Sequence, residues 1–164
     1  MALTQVRGSG ISNMVISDAG IFTRTLQPAF LVQPATAQLN IPINATTTLA
    51  WGTERFDIGG NFASDVFTAP VTGKYHFGCT LRFENIDSAA DYYLLTLKTS
   101  NREYKSWNDP GGFSGDLAYN ILIVDALADM DASDTAYITI SQDNTGTAQA
   151  DVHVDSYFWG YLVA

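Results

Sequence analysis

From Lys74 to Glu84 apolar side chains fall on every second position: Tyr75, Phe77, Cys79, Leu81 and Phe83. A period of two marks a strand with one buried and one exposed face. His76, Thr80, Arg82 and Glu84 take the polar side. Comparable runs rich in β-branched and aromatic residues recur from Pro28 onward: AFLVQP from 29, TTLAW from 47, DVFTA from 65, YYLLTLKT from 92, REYKSW from 102, TAYITISQ from 135 and VHVDSYFWGYLVA from 152. Between them lie the turn clusters DIGGN, APVTG, NDPGGFSGD and DNTGT, which supply Gly and Asn for positive φ and Pro for a fixed φ. Eight or more such runs predict an all-β domain, a two-sheet sandwich. Residues 117–130 fit two templates, because Leu117, Ile121, Val124 and Ala128 also lie on a helical stripe. No internal repeat is evident.

Two runs break the one-faced rule. In the closing stretch, Phe158, Gly160 and Leu162 form one face, and Tyr157, Trp159 and Tyr161 form the other. Residues 92–97, Tyr-Tyr-Leu-Leu-Thr-Leu, are also apolar on both sides. A two-layer sandwich buries one face of each strand, so the second needs a cover, and a bare aromatic surface is an association site. Tyr and Trp suit an interface because they bury large areas while keeping a polar tip. Self-association is the economical expectation.

Residues 1–27 follow no such pattern. Glycines at 8, 10 and 20 and many small polar residues separate the isolated apolar positions Leu3, Val6, Ile11, Met14, Ile16, Ile21 and Phe22. Alone, the segment would not bury enough surface to fold. It reads as an arm, held by a docking partner in the favoured reading or folded back on its own domain in the alternative, with residues 28–164 as the folded domain.

Composition narrows the function. Hydrophobic residues make up 46% and charged residues 15% of the 164, enough for a substantial core. A formal net charge of −9, with eight scattered Lys and Arg, excludes a phosphate-tracking role and sets nucleic acid aside. Cys79, the only cysteine, permits no intrachain disulfide and sits in an apolar series as a buried filler. The opening lacks a secretory signal, and no apolar stretch nears the ~20 residues of a membrane helix. A soluble protein made in a reducing compartment is expected, with no membrane partner.

Catalytic motifs are missing. GGFSGD at 111–116 lacks the spacing of a nucleophile elbow, and there is no phosphate loop or dinucleotide fingerprint. His76 and His153 occupy polar strand positions without a Cys/His cluster, so they read as surface residues. DALADMDASD at 125–134 gathers four carboxylates but has neither the alternating ligands nor the central Gly of an EF-hand loop, and reads as a solvated turn. Asn44-Ala45-Thr46 matches a glycosylation sequon in a context without secretion signals. No enzyme activity, cofactor or metal is expected.

FTAPVTGKYHFG, residues 67–78, resembles the signature of the complement component 1q globular-head family, relatives of the tumour necrosis factor jelly roll. Its pattern F-x-x-x-x-x-G-x-Y-x-F is met by Phe67, Gly73, Tyr75 and Phe77. SYFWGYLVA resembles the family's closing strand, through Phe158 and Gly160, and with AFLVQP the similarity spans roughly residues 28–164. The segment before Phe67 is shorter than the family pattern, and Cys79 stands where an aromatic is usual. The resemblance implies a ten-strand jelly roll forming a compact homotrimer with aromatics along its three-fold axis. Tyr157, Trp159, Tyr161, Tyr92 and Leu94 are then the expected trimer contacts.

The opening MALTQV…GSGI…SDAGI resembles those of structural proteins from tailed bacteriophages. That implies a virion protein made in the host cytoplasm. The expectation is a capsid decoration, or cement, protein on the outer surface of the head, its arm docked on the major capsid protein. The alternative is the receptor-binding tip of a tail fibre or spike, docked on a tail protein and touching a host-surface glycan through exposed aromatics in loops such as WNDPGGFSGD. A secreted, animal-type signalling or lectin-like trimer is a third reading, weakened by the missing signal and stalk.

Overall fold

The computed structural model describes residues 14–16, 22–24, 26–144 and 148–163. Its strands in chain order are β1 (Met14–Ile16), β2 (Phe22–Arg24), β3 (Ala29–Gln33), β4 (Ala45–Thr48), β5 (Thr53–Ile58), β6 (Phe62–Ala63), β7 (Val66–Thr68), β8 (Gly73–Ile86), β9 (Ala90–Thr99), β10 (Glu103–Asn108), β11 (Leu117–Met130), β12 (Thr135–Asn144), β13 (Asp151–Val152) and β14 (Tyr157–Leu162). Among the described residues the only helical element is one 3-10 turn, Pro110–Gly112, and no helix is long and apolar enough to cross a membrane.

Two sheets face each other in a jelly-roll-like sandwich. One has the order β10-β9-β12-β7-β6; the other runs β11-β8-β14-β3-β5, with β13 paired to β8. Among the described residues the ladders between strands are antiparallel, with one isolated parallel bridge between Ile43 and Gln142, and each strand can offer one face to the core. The segment carrying β4 runs beside β12: the Asn44 and Leu49 amides donate to the carbonyls of Gln142 and Ile138. β1 and β2 form a separate two-stranded ladder.

The expected alternation in β8 is borne out, with Tyr75, Phe77, Cys79, Leu81 and Phe83 all buried. Cys79 is a buried free thiol, as its pattern predicts. Residues 117–130 resolve as one 14-residue strand, paired with β8 from Leu117 to Met130, and the helical stripe has no counterpart. The sandwich holds about twelve strands rather than ten. Two of them, β6 and β13, are only two residues long and carry no period of their own. β5 is a strand that the apolar runs do not mark, because Thr-Glu-Arg-Phe-Asp-Ile lies at a sheet edge and stays mostly exposed. The run from 152 divides in two, since the Ser156 amide donates to the His153 carbonyl and turns the chain between β13 and β14.

The APVTG corner links the two sheets, passing the chain from β7 to β8. Phe67 precedes it and Tyr75 and Phe77 follow, and the three rings meet in the core at 5.5 to 6.0 Å. The Tyr75 hydroxyl donates to the Val71 carbonyl at 2.8 Å, so the tyrosine also fastens the corner it leaves. Phe30, Phe62 and Phe158 extend the cluster, with Phe30 at 4.9 Å from each of the other two. In DIGGN, Gly59 and Gly60 take φ of 101° and 66°, the conformation for which glycine was expected there.

Candidate functional site

β14 lies in the middle of the six-stranded sheet, and its two faces have different fates. Phe158 and Gly160 point into the sandwich, where both are buried. Tyr157, Trp159 and Tyr161 stand on the outer face, with Tyr157 and Tyr161 exposed and Trp159 half-buried. Two glycines make this possible. Gly160 lies opposite Phe77, and the Phe77 ring occupies the space a Cβ on Gly160 would need. Gly78 lies opposite Trp159, and the indole covers it in the same way on the outer side. Aromatic rings therefore cap bare backbone on both surfaces of one strand pair.

Register shows what else shares the outer face. One cross-strand row reads Phe56, Leu31, Trp159, Gly78, Asp125; the next reads Ile58, Ala29, Tyr161, His76, Leu127. Phe56, Leu31, Tyr157, Trp159 and Tyr161 line an open groove of about 750 Å³. At the opposite edge, β11 projects a stripe of Tyr119, Ile121, Ile123 and Leu127, each more than half exposed. Exposed apolar residues gathered in this way on one sheet face mark interaction sites.

Polar groups divide the groove from the stripe. His76 lies between the Tyr161 hydroxyl at 3.0 Å and an Asp125 carboxylate oxygen at 2.9 Å, with the Trp159 ring edge-on at 5.0 Å. Arg82 donates to Glu84 and Asp155 at 2.8 and 2.7 Å, meets a ring nitrogen of His153 at 3.2 Å and lies over the Tyr119 ring at 5.6 Å. Both histidines thus sit partly exposed in surface networks.

The other expected contacts lie elsewhere. Tyr92 and Leu94 are on the outer face of the five-stranded sheet, on the far side of the sandwich from Trp159. There Tyr92 packs edge-to-face on Trp107 at 4.8 Å. Of the arm residues, Leu3, Val6, Ile11 and Ile21 lie outside the described residues; Met14 and Ile16 are in β1 and Phe22 is in β2. The four carboxylates at 125–134 are each engaged by protein groups. Asp125 faces His76, Asp129 pairs with Arg102, Asp134 accepts from Asn101 and the Asp131 amide, and Asp131 accepts from Thr72. Phe56, Ile121, Ile123 and Leu127 could not be recognised from the sequence as members of the face, because only the register places them on the same surface as Trp159.

The fold has known counterparts. The globular domain of zebrafish complement 1qA protein superposes with a TM-score of 0.61, covering 84% of this chain and 98% of that one at 15% identity. Murine APRIL, crystallised at pH 8.0, gives a TM-score of 0.58, covering 84% of this chain and 99% of that one at 11% identity. These likenesses establish the jelly-roll fold of complement 1q and tumour necrosis factor type. No protein-family profile matches the sequence, and no curated protein matches it in sequence.

Proposed function

We propose that this chain is a homotrimeric jelly-roll knob that decorates the outer surface of a tailed-bacteriophage head, with residues 1–27 docked on the major capsid protein. The observation that carries self-association is the pair of unlike apolar surfaces on one sheet face, the groove around Trp159 and the stripe on β11. A stripe seated in the groove of the next copy is a heterologous contact, and repeated rotation closes it into a ring. Three copies is the number that the jelly-roll resemblance implies. The His76 and Arg82 networks between the two surfaces supply polar complementarity that fixes the register.

Decoration draws its support from the first 27 residues. Their opening resembles phage structural proteins, and β1 and β2 ladder with each other without adding a strand to either sandwich sheet. Arms from one trimer bridging several capsid subunits would stabilise the assembled shell by mass action. The role is one of binding rather than catalysis. A second reading, the receptor-binding tip of a tail fibre or spike, is favoured by Trp107, which stands exposed on the face away from the assembly groove.

Purified protein with and without residues 1–27, titrated onto undecorated heads and isolated tails, tests the choice. Arm-dependent, saturating binding to heads at a multiple of three copies per capsid repeat is expected. Binding to tails or host cells without affinity for heads would replace decoration by the fibre-tip reading.

A further inference from the structure

We propose that the outer face of the five-stranded sheet carries a binding site for a neutral saccharide about two sugar rings long, with Trp107 as its stacking platform. Trp107 is 57% exposed on the edge strand β10, an unusual place to leave an indole. Its ring is held by the edge-to-face contact with Tyr92, so it is presented in a fixed pose. Register places Leu94 beside Trp107 and Ser141 beside Leu94. Two strand spacings of about 4.8 Å put Ser141 about 10 Å from Trp107, roughly the length of a disaccharide.

At that far end lies a groove of about 310 Å³ lined by Asn44, Thr46, Tyr92, Ser141, Gln142 and Asp143. The Thr46 and Ser141 hydroxyls sit 2.9 Å apart across it. The Tyr92 hydroxyl donates to the Asp143 carboxylate, which raises the phenol above its ordinary pKa. That carboxylate has further lone pairs with which to accept from sugar hydroxyls. A pyranose offers one face of C–H groups and a rim of hydroxyls. An indole face followed, two strands away, by hydroxyl and carboxylate groups matches both halves of it.

Charge selects the class. Asp91 and Asp143 lie beside Tyr92. The lysines on this face, Lys98 and Lys105, are both engaged by Glu103, at 3.1 and 2.9 Å. The face thus sets three carboxylates, Asp91, Glu103 and Asp143, against two lysines that share one of them, so an acidic sugar would meet a net negative surface. The site lies within one protomer, opposite the groove around Trp159, so its test is independent of trimer formation and head decoration.

Isotope-labelled full-length protein is titrated with lactose, maltose and N,N′-diacetylchitobiose, and with sialyllactose as the anionic counterpart, following the Trp107 indole and Ser141 amide by NMR. At millimolar concentration a neutral disaccharide should shift both signals. Trp107→Ala should weaken binding about tenfold or more, as should Asp143→Asn, with the Trp51 and Trp159 indole signals unmoved. No response to any of the three neutral sugars, a response that survives Trp107→Ala, or a preference for sialyllactose would each overturn the proposal.

Discussion

Gly160 has no room for a methyl group. A Cβ there would lie 2.3 Å from Cδ1 of Phe77 and 2.8 Å from Cε1 of Phe30. Neither ring has anywhere to go. Phe30 stacks between Phe62 and Phe67 at 4.9 and 5.0 Å, and Phe77 lies 6.0 Å from Tyr75 and 5.5 Å from Phe67. Restoring an ordinary separation of 3.4 Å requires a fully buried ring to retreat by about 1 Å into filled space. Overpacking a dense core costs about 1–3 kcal/mol, and two obstructed rings place Gly160→Ala near the upper end, about 3 kcal/mol. At about 2–4 °C per kcal/mol for a domain of this size, the melting temperature should fall by about 6–12 °C.

Gly78→Ala is the matched control. Its Cβ would meet the Trp159 indole at 2.3 Å, but that ring is on the outer face and can swing into solvent. Near-UV circular dichroism melts at two protein concentrations separate the two effects. Gly160→Ala should melt early at both concentrations. Gly78→Ala should lose less, and its loss should depend on concentration because it displaces a proposed assembly residue. A Gly160→Ala protein melting within about 2 °C of the wild type would refute the packing argument.

Three further outcomes are expected. The Arg102 guanidinium donates to both Asp129 oxygens and holds that carboxyl at about 2 rather than 3.8. A depressed carboxylate pKa stabilises the fold above the unfolded value and is lost as pH falls toward the folded one. Arg102→Gln should therefore lower the melting temperature at neutral pH, and a deficit that persisted unchanged below pH 2 would contradict this. Gln142 is fully buried, accepting from the Ala150 amide at 3.0 Å and donating to the Ala148 carbonyl at 2.7 Å. Gln142→Leu strands the buried Ala150 amide and should cost about 1–3 kcal/mol in urea denaturation, where an unchanged midpoint would count against the role. Burial pushes the Cys79 thiol well above its ordinary pKa, so thiol reagents should label it only as the protein unfolds, and fast labelling of native protein would be the contrary result.

The sandwich was legible where one face of a strand is polar. The alternation through Tyr75, Phe77, Cys79, Leu81 and Phe83 identifies β8 without ambiguity, and Phe67, Gly73 and Tyr75 locate the corner that feeds it. β11 was ambiguous for a physical reason: Leu122, Val124, Ala126 and Ala128 are buried, but outward Ile121, Ile123 and Leu127 are apolar too, which erases the period of two. The blur that hid the strand is itself the mark of an exposed apolar face. β5 carried the opposite handicap, since an edge strand needs few apolar residues. For the site, the Tyr157–Trp159–Tyr161 triad could be read directly, because alternation within one strand suffices. Assigning Tyr92 to one face or the other required knowing which sheet β9 joins. The partnership of Phe56 with Trp159 through Leu31 required the register of three strands.

The most direct test of the central claim is the solution mass of the full-length protein, by sedimentation equilibrium, alongside Trp159→Glu and Leu127→Asp. These changes place a charge in the groove and on the stripe, both outside the core. Three copies of the 17.8 kDa chain are expected for the wild type, and folded monomers for each variant. A wild-type monomer, or variants that remain trimeric, would contradict the assignment of the six-stranded face as the surface that closes the trimer.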